Sequence, residues 1–132
     1  MSSASLAVQT MLRDRLLGHA PLTTLLGGGH IFDEIPRGSP EPHVVFSAIE
    51  TRDWSTQDQK AHEHFMTLEV KTKAPGRKLA DQIVAEIETA FDTPQPLAGH
   101  TLVNLRIVFW TVFRTGDNFN AVLRYRAATE PL

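Results

Sequence analysis

The chain has no cysteine among its 132 residues. That absence excludes disulfides, thiolate zinc sites and a cysteine nucleophile, and it suits a reducing compartment. Long apolar runs are missing as well. The opening "MSSASLAVQTMLRDRLL" is interrupted by Arg13, Asp14 and Arg15 before one develops, so it reads as neither a signal peptide nor a membrane span. Charge of one sign is not in excess: 13 basic residues face 15 acidic ones, for a net charge of -2. That balance is too near neutral for a dedicated nucleic-acid binder, although it leaves room for local basic patches. Signatures of nucleotide and acyl chemistry are lacking too. "GGGH" at 27–30 has neither the Lys-Ser/Thr ending nor the preceding strand of a phosphate loop, and no G-x-G-x-x-G or G-x-S-x-G occurs.

What is present is ordinary for a soluble globular protein: 42% hydrophobic and 21% charged residues. The length fits one domain spanning 1–132, with a polar loop at about 50–63. No internal repeat interrupts it.

Apolar residues from Leu6 to Leu17 recur at three- and four-residue spacings, which predicts a first helix over 2–17 capped by Ser2 or Ser3. "PLTTLL" adds a further short helical turn before the glycines. "HIFDEIP" reads as a short extended piece, and "PRGSPEP" as a loop whose prolines resist regular structure. "HVVFSAIE", 43–50, is a strand by its β-branched and aromatic content. Met66, Leu68 and Val70 alternate with Thr67, Glu69 and Lys71, the pattern of a half-buried strand. Pro75 suits the first turn of a second helix, in which Leu79, Ile83, Ile87 and Phe91 recur every fourth residue. "TLVNLRIVFWTVFR" is strongly β-prone, but Val103 to Phe109 and Trp110 to Val112 fall in opposite registers. Either both faces are covered there or a bulge shifts the pleat. "TGDN" at 115–118 then turns the chain into a final alternating strand. The expected fold is α+β, in the order helix-strand-strand-helix-strand-strand. It is an antiparallel four-stranded sheet with two helices packed on one face.

Four groups of residues carry candidate chemistry. His62 and His64 lie two apart, so on a strand both imidazoles face one side and a metal-dependent hydrolase using them is conceivable. No dense third ligand accompanies them, which favours a solvated strand end and no metal. Asp33 with Glu34, and Glu86 with Glu88, are spaced so that their side chains diverge, and nothing selects either pair for acid-base work. Arg106, Arg114, Arg124 and Arg126 form the main cationic set. A solvent face with cross-strand carboxylate partners is its plain reading, and a surface for a nucleic-acid backbone or an acidic partner its functional one. Trp54 stands in a polar loop beside Asp53, Ser55 and Thr56. It must fold back onto its own domain or be covered by a partner, and sequence leaves both open.

The ordered set "HIFDEIPRGSPEPHVVFSAIETRDWSTQ", "APGRK" and "LVNLRIVFW…FNAVLRYRA" resembles the tail-completion (tail terminator) proteins of long-tailed bacteriophages and gene transfer agents. The likeness runs from the first helix to Ala127. It departs at Pro42-His43, where an aromatic is expected after the proline, and at Lys71-Thr72-Lys73, where a tryptophan and a serine are usual.

The resemblance implies a structural protein with no catalysis, no cofactor and no membrane. Such proteins form a homo-oligomeric ring, typically hexameric, at the head-tail junction of a particle assembled in the bacterial cytoplasm. The ring caps the tail tube protein, ends tail growth and joins the head-tail connector or stopper protein. A head-completion or neck adaptor is the alternative within the same class. On this reading Asp53, Trp54, Ser55 and Thr56 belong to a subunit or partner interface. Arg106, Arg124 and Arg126 face a partner or a channel that DNA crosses without sequence-specific binding.

Overall fold

Ser3 holds extended backbone (φ −68°, ψ 155°) and its hydroxyl accepts from the Leu6 amide, which starts helix α1 at Ala4–Leu17. The computed structural model that shows this describes residues 3–34, 37–38, 41–92 and 96–132. Ser2, and parts of the expected "HIFDEIP", "PRGSPEP" and "DTPQPLAGH" segments, lie outside the described residues. A second helix, α2, spans Ala20–Leu26, with Pro21 in its first turn and Gly27 closing it at φ 79°. Strand β1 is the two residues Ile31–Phe32, followed by β2 at His43–Asp53 and β3 at His62–Lys71. Helix α3 covers Lys78–Phe91. Pro75 precedes it and lies outside its first turn. Strands β4, His100–Thr115, and β5, Asn118–Pro131, complete the chain. Gly116, at φ 61°, takes the first place of their two-residue turn, where an L side chain would be strained.

The sheet has five strands in the order β1-β2-β3-β5-β4, and β1 runs parallel to β2. This corrects the expected architecture of four antiparallel strands and two helices. β1 is too short to show a period, and the seven residues of α2 give barely two turns.

Register determines which residues meet the helices. His64, Met66, Leu68 and Val70 of β3 pair with Ala127, Tyr125, Leu123 and Ala121 of β5, so all face the same side. There they join Ile83, Ile87 and Phe91 of α3, Val8, Leu12 and Leu16 of α1, and Leu22 and Leu26 of α2 in the core. The four-residue recurrence of α3 thus buries one stripe, as its sequence requires. Leu6 is the exception in α1: it was expected in the buried stripe but is 54% exposed.

β4 reconciles its two apolar registers with bulges at Val103 and Val108. Leu102, Leu105, Ile107 and Val112 then pack against the core. Because β4 pairs with β5 on one side and ends the sheet order, its other side has no strand partner among the described residues.

Candidate assembly interface

The loop that joins β2 to β3 is held by its own polar atoms. The Trp54 amide donates to the Ala61 carbonyl at 2.8 Å, and the Thr56 amide to the Gln59 carbonyl at 2.8 Å. Ser55 Oγ accepts from the Ala61 amide at 3.0 Å and reaches its carbonyl at 3.3 Å. The Asp53 carboxylate accepts from the Ser55 amide at 3.0 Å, and its hydrogen bonds with Ser55 hold its pKa below the ordinary value. Gln59 Nε2 donates to Glu130 and ties the loop to the end of β5. The residues from 54 to 61 therefore continue the β2-β3 ladder as a tapering hairpin. Polar atoms do for this loop what an apolar anchor would do elsewhere.

Trp54 is stacked on one face by the Arg126 guanidinium, 4.9 Å from the ring centroid, and is still 46% exposed. It shares a shallow hollow with Ala61, Val103 and Glu130, which places it against the start of the free β4 edge. Of the two options left open by the sequence, folding back accounts for half of the ring.

Arg106, Arg124 and Arg126 sit on the sheet face away from the helices. Arg126 Nε donates to Glu63 Oε2 at 2.9 Å, and Arg124 lies 3.6 Å from Glu50, which also binds Arg52 at 3.0 Å. The Phe65 ring lies between the Arg52 and Arg124 guanidiniums, at 5.2 and 5.3 Å. Arg106 is opposite Arg126 in register and has no ion pair among the described residues. Arg114 stands apart, with its guanidinium 5.2 Å from Phe119. Sequence reasoning grouped four arginines; among the described residues the structure pairs two of them with carboxylates and leaves two without.

His64 is fully buried, not solvated. Its Nδ1 lies 3.0 Å from the Thr51 hydroxyl and its Nε2 2.9 Å from the Thr129 hydroxyl. Burial, with His62 and His100 nearby, pushes its pKa down to about 4. With both ring nitrogens engaged, His64 has no lone pair free for an ion, and the His62–His64 hydrolase reading finds no geometry to support it. Among the described residues, no three or more His, Cys, Asp or Glu side chains are grouped to hold a metal. Of the carboxylates, Glu86 bonds His19 at 3.0 Å and Asp33 accepts from Gln9.

The surface feature that sequence reasoning missed is the outer half of β4. Phe109 and Trp110 are each 52% exposed, with Val108 and Phe113 beside them. Phe109 pairs with Arg124 and faces away from the helices, whereas Trp110 pairs with Leu123 and faces their side. Large apolar groups are thus uncovered on both faces of one free-edged strand, the composition of a contact surface. The signal was present in the sequence as apolar residues in both registers.

The fold has a close counterpart among solved structures. A chain in the virion of a native gene transfer agent particle superposes with a TM-score of 0.84 at 24% identity, over 98% of this chain and 99% of that one. No curated protein matches by sequence. The model of the family described as tail completion protein gp17 matches residues 10–130. The chain belongs to that family. It is a tail completion protein, and the uncovered edge is to be understood as a surface of a structural tail protein. The family match spans every element from within α1 to β5, so both the hairpin with Trp54 and the whole of β4 fall inside it. No helix among the described residues is long and apolar enough to cross a membrane.

Proposed function

We propose that copies of this chain close into a ring, hexameric as is usual for its kind. The ring caps the tail tube, ends its growth and joins the tail to the connector or stopper protein of the head. The work is done by assembly and shape, with no catalysis and no cofactor. The observation that carries this reading is the free edge of β4, which bears Phe109, Trp110 and Phe113 at its outer half and meets Trp54 near its start. A lone domain gains nothing from such exposure, whereas a repeating head-to-tail contact covers one edge per copy. In that ring Asp53, Trp54, Ser55 and Thr56 contribute to the subunit contact.

The outer sheet face, with Arg106, Arg124 and Arg126, is assigned to the channel or to a partner. Pairing with Glu50 and Glu63 moderates the charge of Arg124 and Arg126 and leaves Arg106 as the unpaired cation of the three among the described residues. That suits DNA passage with weak retention, because a full set of unpaired arginines would bind phosphates strongly.

Deleting the gene tests the reading. Electron microscopy of the lysate should then show tails of uncontrolled length or tails detached from heads, with rings restored by the native chain. Normal, transfer-competent particles in the deletion strain would overturn it.

A further inference from the structure

A head-to-tail ring needs two different patches on one chain, and the β4 edge with Trp54 beside its start supplies one of them. We infer that the second is a groove along the first turns of α1, and that the outer half of β4 from the neighbouring copy docks there; this rests on the ring reading above. The groove has a volume of about 340 Å³ and is lined by Leu6, Met11, Asp14 and Pro96, among others. Met11 is buried in its floor and Leu6, 54% exposed, forms its wall. A smaller hollow of about 90 Å³ shares Leu6 and Asp14 and is lined as well by Arg13 and Asp33. The second patch is therefore concave and apolar at its base, and at its rim the carboxylates Asp14 and Asp33 outnumber the single cation Arg13.

The first patch is its complement. Phe109, Trp110 and Phe113 project from a strand whose charged residues are Arg106 and Arg114, with no carboxylate in its length. Neither Arg114 nor Asp14 has an ion-pair partner among the described residues. Phe109 and Phe113 leave one face of β4 and Trp110 and Arg114 the other, so the strand docks edge-on, its rings straddling the apolar groove and its unmatched Arg114 guanidinium meeting the unmatched Asp14 carboxylate.

Edge-to-edge strand addition between two copies is the competing use of β4. The bulges at Val103 and Val108 interrupt the backbone ladder and leave residues 109–115 as its longest stretch without a shift. Side-chain insertion needs no such continuity.

The cysteine-free chain suits disulfide mapping. A Leu6→Cys, Phe113→Cys double variant replaces the native chain in producing cells, and purified particles are oxidised and run on a non-reducing gel. The expected result is a ladder of linked copies ending at the ring number, with monomers alone from each single variant. In parallel, Asp14→Arg and Arg114→Asp should each reduce capped tails at least tenfold, and the two together should restore them. Capped tails with neither ladder nor charge rescue would overturn the inference while leaving the ring in place. Dimers from Phe113→Cys alone would overturn it in favour of edge-to-edge pairing. Absence of the chain from tail ends would instead defeat the ring reading itself.

Discussion

Acid should weaken this fold through the buried His64 before any carboxylate titrates. A neutral imidazole donates one hydrogen bond and accepts one, and the hydroxyls of Thr51 and Thr129 meet both needs. Protonation would leave a buried cation against two hydroxyls, which is why burial lowers the pKa from 6.5 to about 4. In the unfolded chain the same histidine titrates near its ordinary value. Between these two values the unfolded chain holds a proton that the folded chain refuses, so stability falls as pH falls. The slope is about 1.4 kcal/mol per pH unit. Over the whole interval the loss is about 3 kcal/mol, complete near the folded pKa and absent above the unfolded one. Urea denaturation followed from neutral to acidic pH measures it, with His64→Gln as the reference. Because other groups titrate alike in both proteins, the difference between the curves isolates His64. The native chain should lose about 3 kcal/mol more than the variant between about pH 7 and 4. Parallel curves would refute the reasoning, as would an NMR titration placing His64 near its ordinary value.

Two other substitutions separate fold from assembly and packing from polarity. Trp54→Ala removes one exposed cation–π contact, worth about 0.5–1 kcal/mol, so thermal stability should barely change while capped tails drop by about tenfold or more. Equal loss in both measurements would make the ring a self-packing group. Tyr125 is 3% exposed and stacks edge-on against Phe91 at 4.8 Å, yet its hydroxyl has no hydrogen-bond partner among the described residues. Burial also keeps that hydroxyl protonated well above the usual tyrosine range. Tyr125→Phe should therefore raise unfolding stability by about 1 kcal/mol in a denaturation series. A loss of that size would show that the hydroxyl is bonded.

The candidate interface was half legible. Trp54 announced itself because a large ring in the run from Asp53 to Thr56 has no apolar neighbour in sequence to lean on. That Arg126, 72 residues away by number, would cover one of its faces was not readable, because cross-strand register brings them together. The two histidines drew attention for their spacing, but spacing could not say that β5 would close over His64 with Thr129. β4 was legible as a strand either covered on both faces or shifted by a bulge, and it is bulged at Val103 and Val108; that it ends the sheet order was not readable, because pairing order is set by elements far apart in the chain.

The sequence alone determined the elements with a strong period: α3 with its four-residue stripe, β3 with its alternation, and the β4-β5 hairpin with its glycine turn. One-sided burial imposes those periods locally, so they can be read locally. Only the tertiary structure decided that β1 joins in parallel, that β4 is left free, that Leu6 stays uncovered and that Arg124 and Arg126 find carboxylates. Each of these depends on which elements, far apart in the chain, pack side by side, and no local pattern of residues encodes that choice.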